Sequence, residues 1–422
     1  MPELLILVIV IVGLAVLNVP IYVAILSGTV YLQLFVNDIS LVGTFNTIIE
    51  SISKSSLLCI PFFILVGNFM QSSTLGKRLI DLFSAILKNV RGGLSIAALI
   101  SNAFFGAISG SSPAAVATFS PILYNPLEKK YGWKLSLGLL TSSGALSIII
   151  PPSITLIVYA AATNQSVAEL FMAGFLPGIV IVILVCGYLV IKSPPVDKSE
   201  KGTNGKSEIG EALKKSLPVL VLPIIILGGI YGGIFTPTES AAVAAIYAAI
   251  ISLILKDIKL KDIPKIIGGS TKTIGQLMII ISSSIAFAQA ATIAQLPAAV
   301  STLFEGMGKI EFLLLLNIVL LIVGCFFETS SAVLLLSPLI LPTALGLGID
   351  PVHLGLIFTV NLSIGMFTPP FGLNIFVAQG VLGKTMGEIS RSVVPFIVIY
   401  IVAVLIITYI PGISLLLPDL LL

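Results

Sequence analysis

Long apolar stretches separated by short charged loops dominate the chain. A helix needs about 20 apolar residues to cross the hydrocarbon layer of a bilayer. Segments of that character run over 3–18, 20–36, 57–71, 135–163, 169–191, 216–235, 238–255, 274–292, 353–380 and 389–410. Two further apolar regions, 94–124 and 312–343, are each longer than one span and carry small, hydroxyl and proline residues near the middle. Each reads as a re-entrant hairpin that enters and leaves on one face. The stretches 41–56, 75–90 and 257–272 mix charge with apolar residues at helical spacing and read as interfacial helices or arms. The pattern predicts an all-α polytopic membrane protein. The apolar start lacks a basic leading region and a small-residue cleavage pattern, and is read as mature membrane helix.

Lysine and arginine in short loops mark the cytoplasmic side. Lys77, Arg78, Lys88 and Arg91 lie in 72–93, Lys129, Lys130 and Lys134 in 125–134, six lysines in 192–215 and five in 256–272. Basic flanks make 94–124 a hairpin from the cytoplasmic side. Flanks that are on balance acidic or neutral, around Glu305, Lys309, Glu311 and Asp350, make 312–343 a hairpin from outside. With both treated as re-entrant, all the lysine-rich loops fall inside and both termini outside.

An internal duplication at an offset of about 217 gives the chain two halves. Pro20 pairs with Pro237, Ser120-Pro121 with Ser337-Pro338, Pro151-Pro152 with Pro369-Pro370, and Pro177 with Pro395. The opposite entry of the two hairpins makes the halves inverted repeats, a signature of secondary transporters. The expected division is 1–192 (scaffold 3–36, hairpin 94–124, broken helix 135–163), a polar cytoplasmic linker 193–215, and 216–422 (scaffold 216–255, hairpin 312–343, broken helix 353–380).

Composition narrows the chemistry. Of 422 residues 57% are hydrophobic and only 10% charged, and the formal net charge of +3 offers no basic field for nucleic acid. Mean hydropathy is +1.15. Cys59, Cys186 and Cys325 lie far apart in apolar stretches, and with one histidine and one tryptophan they make neither a redox pair nor a metal set. No GxxxxGK[ST] sequence occurs, so ATP is not expected as a direct energy source.

The candidate chemistry sits where helices break. Backbone at membrane depth stays irregular only where it is buried in protein or lines a cavity. The first hairpin tip is Ser109-Gly110-Ser111-Ser112-Pro113, and the second Glu328-Thr329-Ser330-Ser331 preceded by Gly324. Their hydroxyl and carbonyl oxygens suit a hard cation such as sodium, and helix N-termini facing the same space attract anions. The second matched pair is Ser147 to Ser153 and Gly365 to Phe371, each around a double proline that breaks its helix. The carbonyls of Ser147, Ile150, Gly365 and Thr368 are expected to be free for an ion. Thr155 and Asn374, just beyond the breaks, are candidates to touch substrate. Thr236-Pro237-Thr238-Glu239 fits a capping box. Glu328 is a candidate to hold a cation or orient its tip, and His353 is read as interfacial.

These segments resemble the large membrane subunit of tripartite ATP-independent periplasmic transporters, over essentially the whole chain. The resemblance rests on GIYGGIFTPTESAAV from Gly229, FFGAISGSSPAAVAT from Phe104, IIIPPSITLIVYA from Ile148 and MFTPPFGLN from Met366. It implies an elevator-type secondary transporter of the bacterial inner membrane that takes up an organic acid, of sialic acid or C4-dicarboxylate type, with sodium. It also implies a soluble periplasmic binding protein and a separate small four-helix membrane subunit as partners. No cofactor beyond coupling sodium ions is implied. Carried over, one sodium site falls on Ser109, Gly110, Ser111 and Ser112 with Ser147, Ile150 and Pro152, and a second on Gly324, Gly365, Thr368 and Phe371. Thr155, Thr329, Ser330 and Asn374 are the substrate candidates. This chain has Ser147 where the family often has glycine, and Glu328 near where it often has aspartate. A stand-alone carboxylate carrier or sodium/proton antiporter is the alternative. An intramembrane enzyme is more remote, because no histidine lies deep in a span to act as a base.

Overall fold

A computed structural model describes residues 6–7, 10–11, 13–14, 17, 19–53, 57–195 and 205–422, with side chains of 205–207 left aside. Much of the expected span 3–18 and of the linker 193–215 lies outside those residues. The first half runs α1 (Ile21–Tyr31, prolonged by a π turn at Leu32–Val36), α2 (Leu41–Ile52), α3 (Cys59–Gln71), α4 (Leu75–Leu87), α5 (Gly93–Ser109), α6 (Ser112–Tyr131), α7 (Trp133–Ser143), α8 (Ile154–Thr163) and α9 (Val167–Lys192). The second half runs α10 (Gly205–Pro223), α11 (Pro237–Ile254), α12 (Ile263–Ile293), α13 (Leu296–Thr302), α14 (Lys309–Phe326), α15 (Thr329–Gly346), α16 (Pro351–Gly365), α17 (Leu373–Leu382), α18 (Met386–Tyr409) and α19 (Gly412–Leu421). Among the described residues eight helices are long and apolar enough to cross a membrane.

The two halves interlock reciprocally. Helix α3 packs on α11 while α12 packs on α1; α6 packs on α17 while α15 packs on α8; α7 packs on α18 while α16 packs on α9. Each contact has a counterpart with the halves exchanged, which is the arrangement that inverted repeats produce. The two broken helices occupy the middle of the molecule. The stretch Trp133–Thr163 is 89% buried along its most apolar part, and every residue from Val352 to Gly365 is buried.

Both hairpins turn back on themselves. The ends of the first meet beside the end of α9: Gly93, Leu94, Lys130, Tyr131, Pro194 and Pro195 line one small cleft, and Arg91 donates to the Ser193 carbonyl at 2.8 Å. At the second, Lys309 Nζ donates to the Gly348 carbonyl at 3.0 Å, tying its ends together. The helices extend past the apolar stretches 94–124 and 312–343, reaching 93–131 and 309–346. Span α3 does not end freely either, since it bends by 69° into the amphipathic arm α4.

Sequence-local caps set the starts of the helices. Asp350 accepts the amides of Val352 (2.8 Å) and His353 (3.1 Å) at the head of α16, with Pro351 in the first turn. At α11 the Glu239 carboxylate accepts the Thr236 amide at 2.8 Å, and the Thr236 hydroxyl accepts the Glu239 amide at 3.3 Å, completing a capping box. The expectation for His353 is corrected. It is buried, with Nδ1 3.2 Å from the Ser414 hydroxyl and Nε2 3.2 Å from the Thr408 carbonyl, because α19 folds back over the start of α16.

Candidate functional site

The two hairpin tips and the two helix breaks converge on one cavity of 570 Å³. Ser109 to Ala114 of the first tip and Glu328 to Ser330 of the second line it, together with Ile148, Ile154 and Thr155 from one break and Met366 and Leu373 from the other. The facing wall comes from Gly67 and Asn68 of α3 and from Thr273, Gln276 and Ile280 of α12. Asn68 and Thr273 also line a second space of 460 Å³ that reaches Ser72, Asp257, Asp262 and Lys265 at the lysine-rich ends of the helices. The cavity therefore continues toward the lysine-rich ends of the helices.

Local sequence explains each tip. Gly110 ends α5 with φ of +62°, a left-handed conformation glycine adopts without steric cost, and Ser111 then turns extended and accepts the Ala114 amide at 3.4 Å. The second tip uses no glycine. Phe327 and Glu328 are extended, and the Glu328 carboxylate accepts the Ser331 amide at 3.0 Å and the Ser330 hydroxyl at 3.1 Å. Ser111 and Glu328 occupy equivalent positions, so one repeat caps its hairpin with a neutral group and the other with a charge.

At the first break Ile150 is extended, and Ser153 caps α8 while its hydroxyl donates to the Ile148 carbonyl. The peptide bonds Pro151-Pro152 and Pro369-Pro370 are both cis. The expectation of four free carbonyls is corrected in the second repeat. The Gly365 carbonyl accepts the Thr368 amide at 3.2 Å and the Thr368 carbonyl accepts the Gly372 amide at 3.0 Å, since the chain there coils into successive tight turns. Each of those carbonyls keeps one lone pair for another partner.

Some of the sodium candidates lie around two matched close contacts, and others do not. In the first, Gly106 of α5 packs so closely on Ser147 that a methyl group would overlap the serine hydroxyl, and Gly110 lies against Ile154. Ile150 packs on Gly178 of α9 and lies off the cavity wall, as does the buried Pro152. In the second cluster Gly324 of α14 meets Gly365, the Thr368 hydroxyl donates to the Ile364 carbonyl at 2.7 Å, and the Phe371 ring packs 5.3 Å from that of Phe326. Of the substrate candidates, Thr155, Thr329 and Ser330 line the cavity, and the Thr329 hydroxyl is buried with no partner among the described residues. Asn374 is placed differently. It is fully buried behind the wall, donating to the Ser112 hydroxyl at 2.8 Å and to the Thr141 carbonyl at 3.0 Å. It braces the first tip from the other repeat and does not present its amide to the cavity. Sequence reasoning missed the facing wall. Its signal was the pair Thr273 and Gln276, two uncharged polar residues one turn apart in a long apolar helix.

The electrostatics follow from helix ends. First-turn residues of α6, α8, α15 and α17 all reach the cavity, and each helix N-terminus carries about half a positive charge. No lysine or arginine lines it among the described residues, and Glu328 is the only formally charged side chain that does. The wall thus combines four positive helix ends with one carboxylate.

Fold and cavity together define a multi-pass membrane carrier built from two inverted repeats. The fold is similar to that of the YdaH transporter of Alcanivorax borkumensis, with a TM-score of 0.61 over 88% of this chain and 89% of that one, at 12% identity. Residues 7–413 match the family model described as tripartite ATP-independent periplasmic transporter, DctM component, and the chain belongs to that family, as a protein of the inner membrane. It is 41% identical to the C4-dicarboxylate TRAP transporter large permease protein DctM of Pseudomonas aeruginosa, over 93% of each chain. It is 35% identical to the isethionate TRAP transporter permease protein DctMQ of Oleidesulfovibrio alaskensis, over 86% of this chain and 58% of that one.

Proposed function

We propose that this permease carries a small organic acid of the C4-dicarboxylate class inward with sodium. The observation that carries the reading is the convergence of four helix N-termini on one cavity that no basic side chain lines among the described residues. Such ends hold carboxylate oxygens through backbone amides. Sodium ions at the two clusters around Ser109–Ser112 with Ser147, and Gly324 with Gly365, order the tips and balance the substrate charge. The carboxylate then meets Thr155, Thr329 and Ser330. The cargoes named for two relatives that are 41% and 35% identical, a C4-dicarboxylate and isethionate, are both small anions and support a small acid over sialic acid.

The hairpins with the broken helices α7–α8 and α16–α17 form the moving body in this reading, and α1, α3, α10, α11 and α12 form the scaffold. A soluble binding protein delivers substrate at the outer face and a small membrane subunit completes the scaffold. The test is uptake of labelled organic acids into proteoliposomes holding this chain with a co-encoded small subunit, with and without an inward sodium gradient and the binding protein. Uptake that needs both supports the reading. Uptake without the binding protein moves the chain to stand-alone carriers, and uptake indifferent to sodium removes the coupling.

A further inference from the structure

We propose that the groove between α7, α9 and α18 at the inner face is a binding site for the phosphate headgroup of an anionic phospholipid. The groove has a volume of 510 Å³, and Lys134, Tyr188, Lys192, Leu135, Ser392 and Pro395 line it. It is separate from the transport cavity and shares no residue with it.

Three features of the groove attract an anion. Lys134 and Lys192 are both exposed, and neither has a hydrogen bond or ion pair among the described residues. Lys134 is the second residue of α7, where the helix dipole opposes a cation. A lysine there is stabilised by an anion that answers both charges. The start of α7 also has no side-chain cap: it follows Gly132, so its first-turn amides are left for another acceptor. Tyr188 adds a hydroxyl without a partner among the described residues, its ring held 5.5 Å from that of Phe396.

The surroundings favour a lipid as the source of the phosphate. Basic grooves between membrane helices on the cytoplasmic side are where anionic headgroups bind. Trp133, the only tryptophan in the chain, is 41% exposed beside Lys134, as an indole at the headgroup level would be. On the same helices Ile183, Val394 and Val398 are exposed and offer apolar surface to acyl chains. The second lysine closes α9, so the two cations come from helix ends that meet at one interface.

The single tryptophan makes the test direct. The full chain is placed in vesicles of phosphatidylcholine and phosphatidylglycerol in which one lipid at a time is brominated high on the acyl chains, and Trp133 fluorescence is read. Brominated phosphatidylglycerol is expected to quench preferentially, with a relative binding constant raised on the order of fivefold per lysine. In Lys134→Ala/Lys192→Ala the preference falls to near one. In the control Lys259→Ala/Lys261→Ala, which removes two exposed inner-face charges away from the groove, it stays. Circular dichroism and thermal unfolding report that each variant is folded, and Tyr188→Phe gives a milder second probe with an intermediate preference. Equal quenching by both lipids overturns the proposal, as does an equal loss in the control. Reversal of the quenching by millimolar inorganic phosphate also overturns it, by assigning the groove to free phosphate.

Discussion

Gly324 and Gly365 meet with no side chain between them, the end of the first hairpin helix of the second repeat lying on the break of α16. A methyl group on Gly365 would overlap the Gly324 carbonyl and Cα. Membrane helices approach this closely only through small residues. Gly365→Ala is therefore expected to push the hairpin off the break, at a cost of about 1–3 kcal/mol as for other overpacked sites. Thermal unfolding in detergent checks the stability, and proteoliposome uptake is expected to fall further than the stability loss accounts for.

The first repeat holds the same contact with a different pair. Gly106 faces Ser147, the counterpart of Gly365, and the Ser147 hydroxyl is buried with no partner among the described residues. Gly106→Ala alone collides with that hydroxyl and is expected to destabilise by about 1–3 kcal/mol. Ser147→Gly removes the side-chain part of the obstacle and leaves only the Cα of residue 147, 2.9 Å from the added methyl group. A double-mutant cycle read by thermal unfolding is expected to show Gly106→Ala/Ser147→Gly more stable than Gly106→Ala. Additive losses would show that the two residues do not meet.

Much of this arrangement was legible in the sequence because breaking residues are local signals. Pro151-Pro152, Pro369-Pro370 and the run Ser109 to Ser112 mark interruptions in apolar segments, and their offset reveals the repeat. The charge of the loops then separates hairpin from span. What stayed hidden depends on contacts between distant residues. Nothing in the sequence near Asn374 says that its amide meets Ser112, 262 residues away, so it read as a cavity residue. His353 read as interfacial because the helix that covers it, α19, lies about 60 residues further on. The Gly365 and Thr368 carbonyls read as free because a double proline announces lost donors and not the turn that replaces them.

Asn374 ties one repeat to the tip of the other. Removing its side chain leaves the Ser112 hydroxyl and the Thr141 carbonyl without their partner in a fully buried position. Each unsatisfied buried group costs about 1–3 kcal/mol. Asn374→Ala is expected to lower stability by that order and to loosen the first tip selectively. Hydrogen exchange checks the second point, with faster exchange expected across 109–114 and little change across the equivalent second tip.

The two tips differ in one charge, and that difference gives a separable outcome. Glu328 caps α15 with a carboxylate that accepts the Ser331 amide and the Ser330 hydroxyl, where the first repeat uses neutral Ser111. Glu328→Ser would copy the first tip: it keeps an oxygen acceptor for the cap but removes the only formal charge that the described residues place on the cavity wall. Serine is itself a preferred N-cap residue, so the exchange avoids the roughly 1 kcal/mol cost of an alanine there. Thermal stability is therefore expected to stay close to that of the parent, while the sodium concentration for half-maximal uptake rises severalfold as one cation loses a nearby counter-charge. Glu328→Ala loses the cap as well and is expected to lower both. If Glu328→Ser left the sodium dependence unchanged, the carboxylate would be a helix cap alone, and the charge balance of the cavity would rest on the substrate.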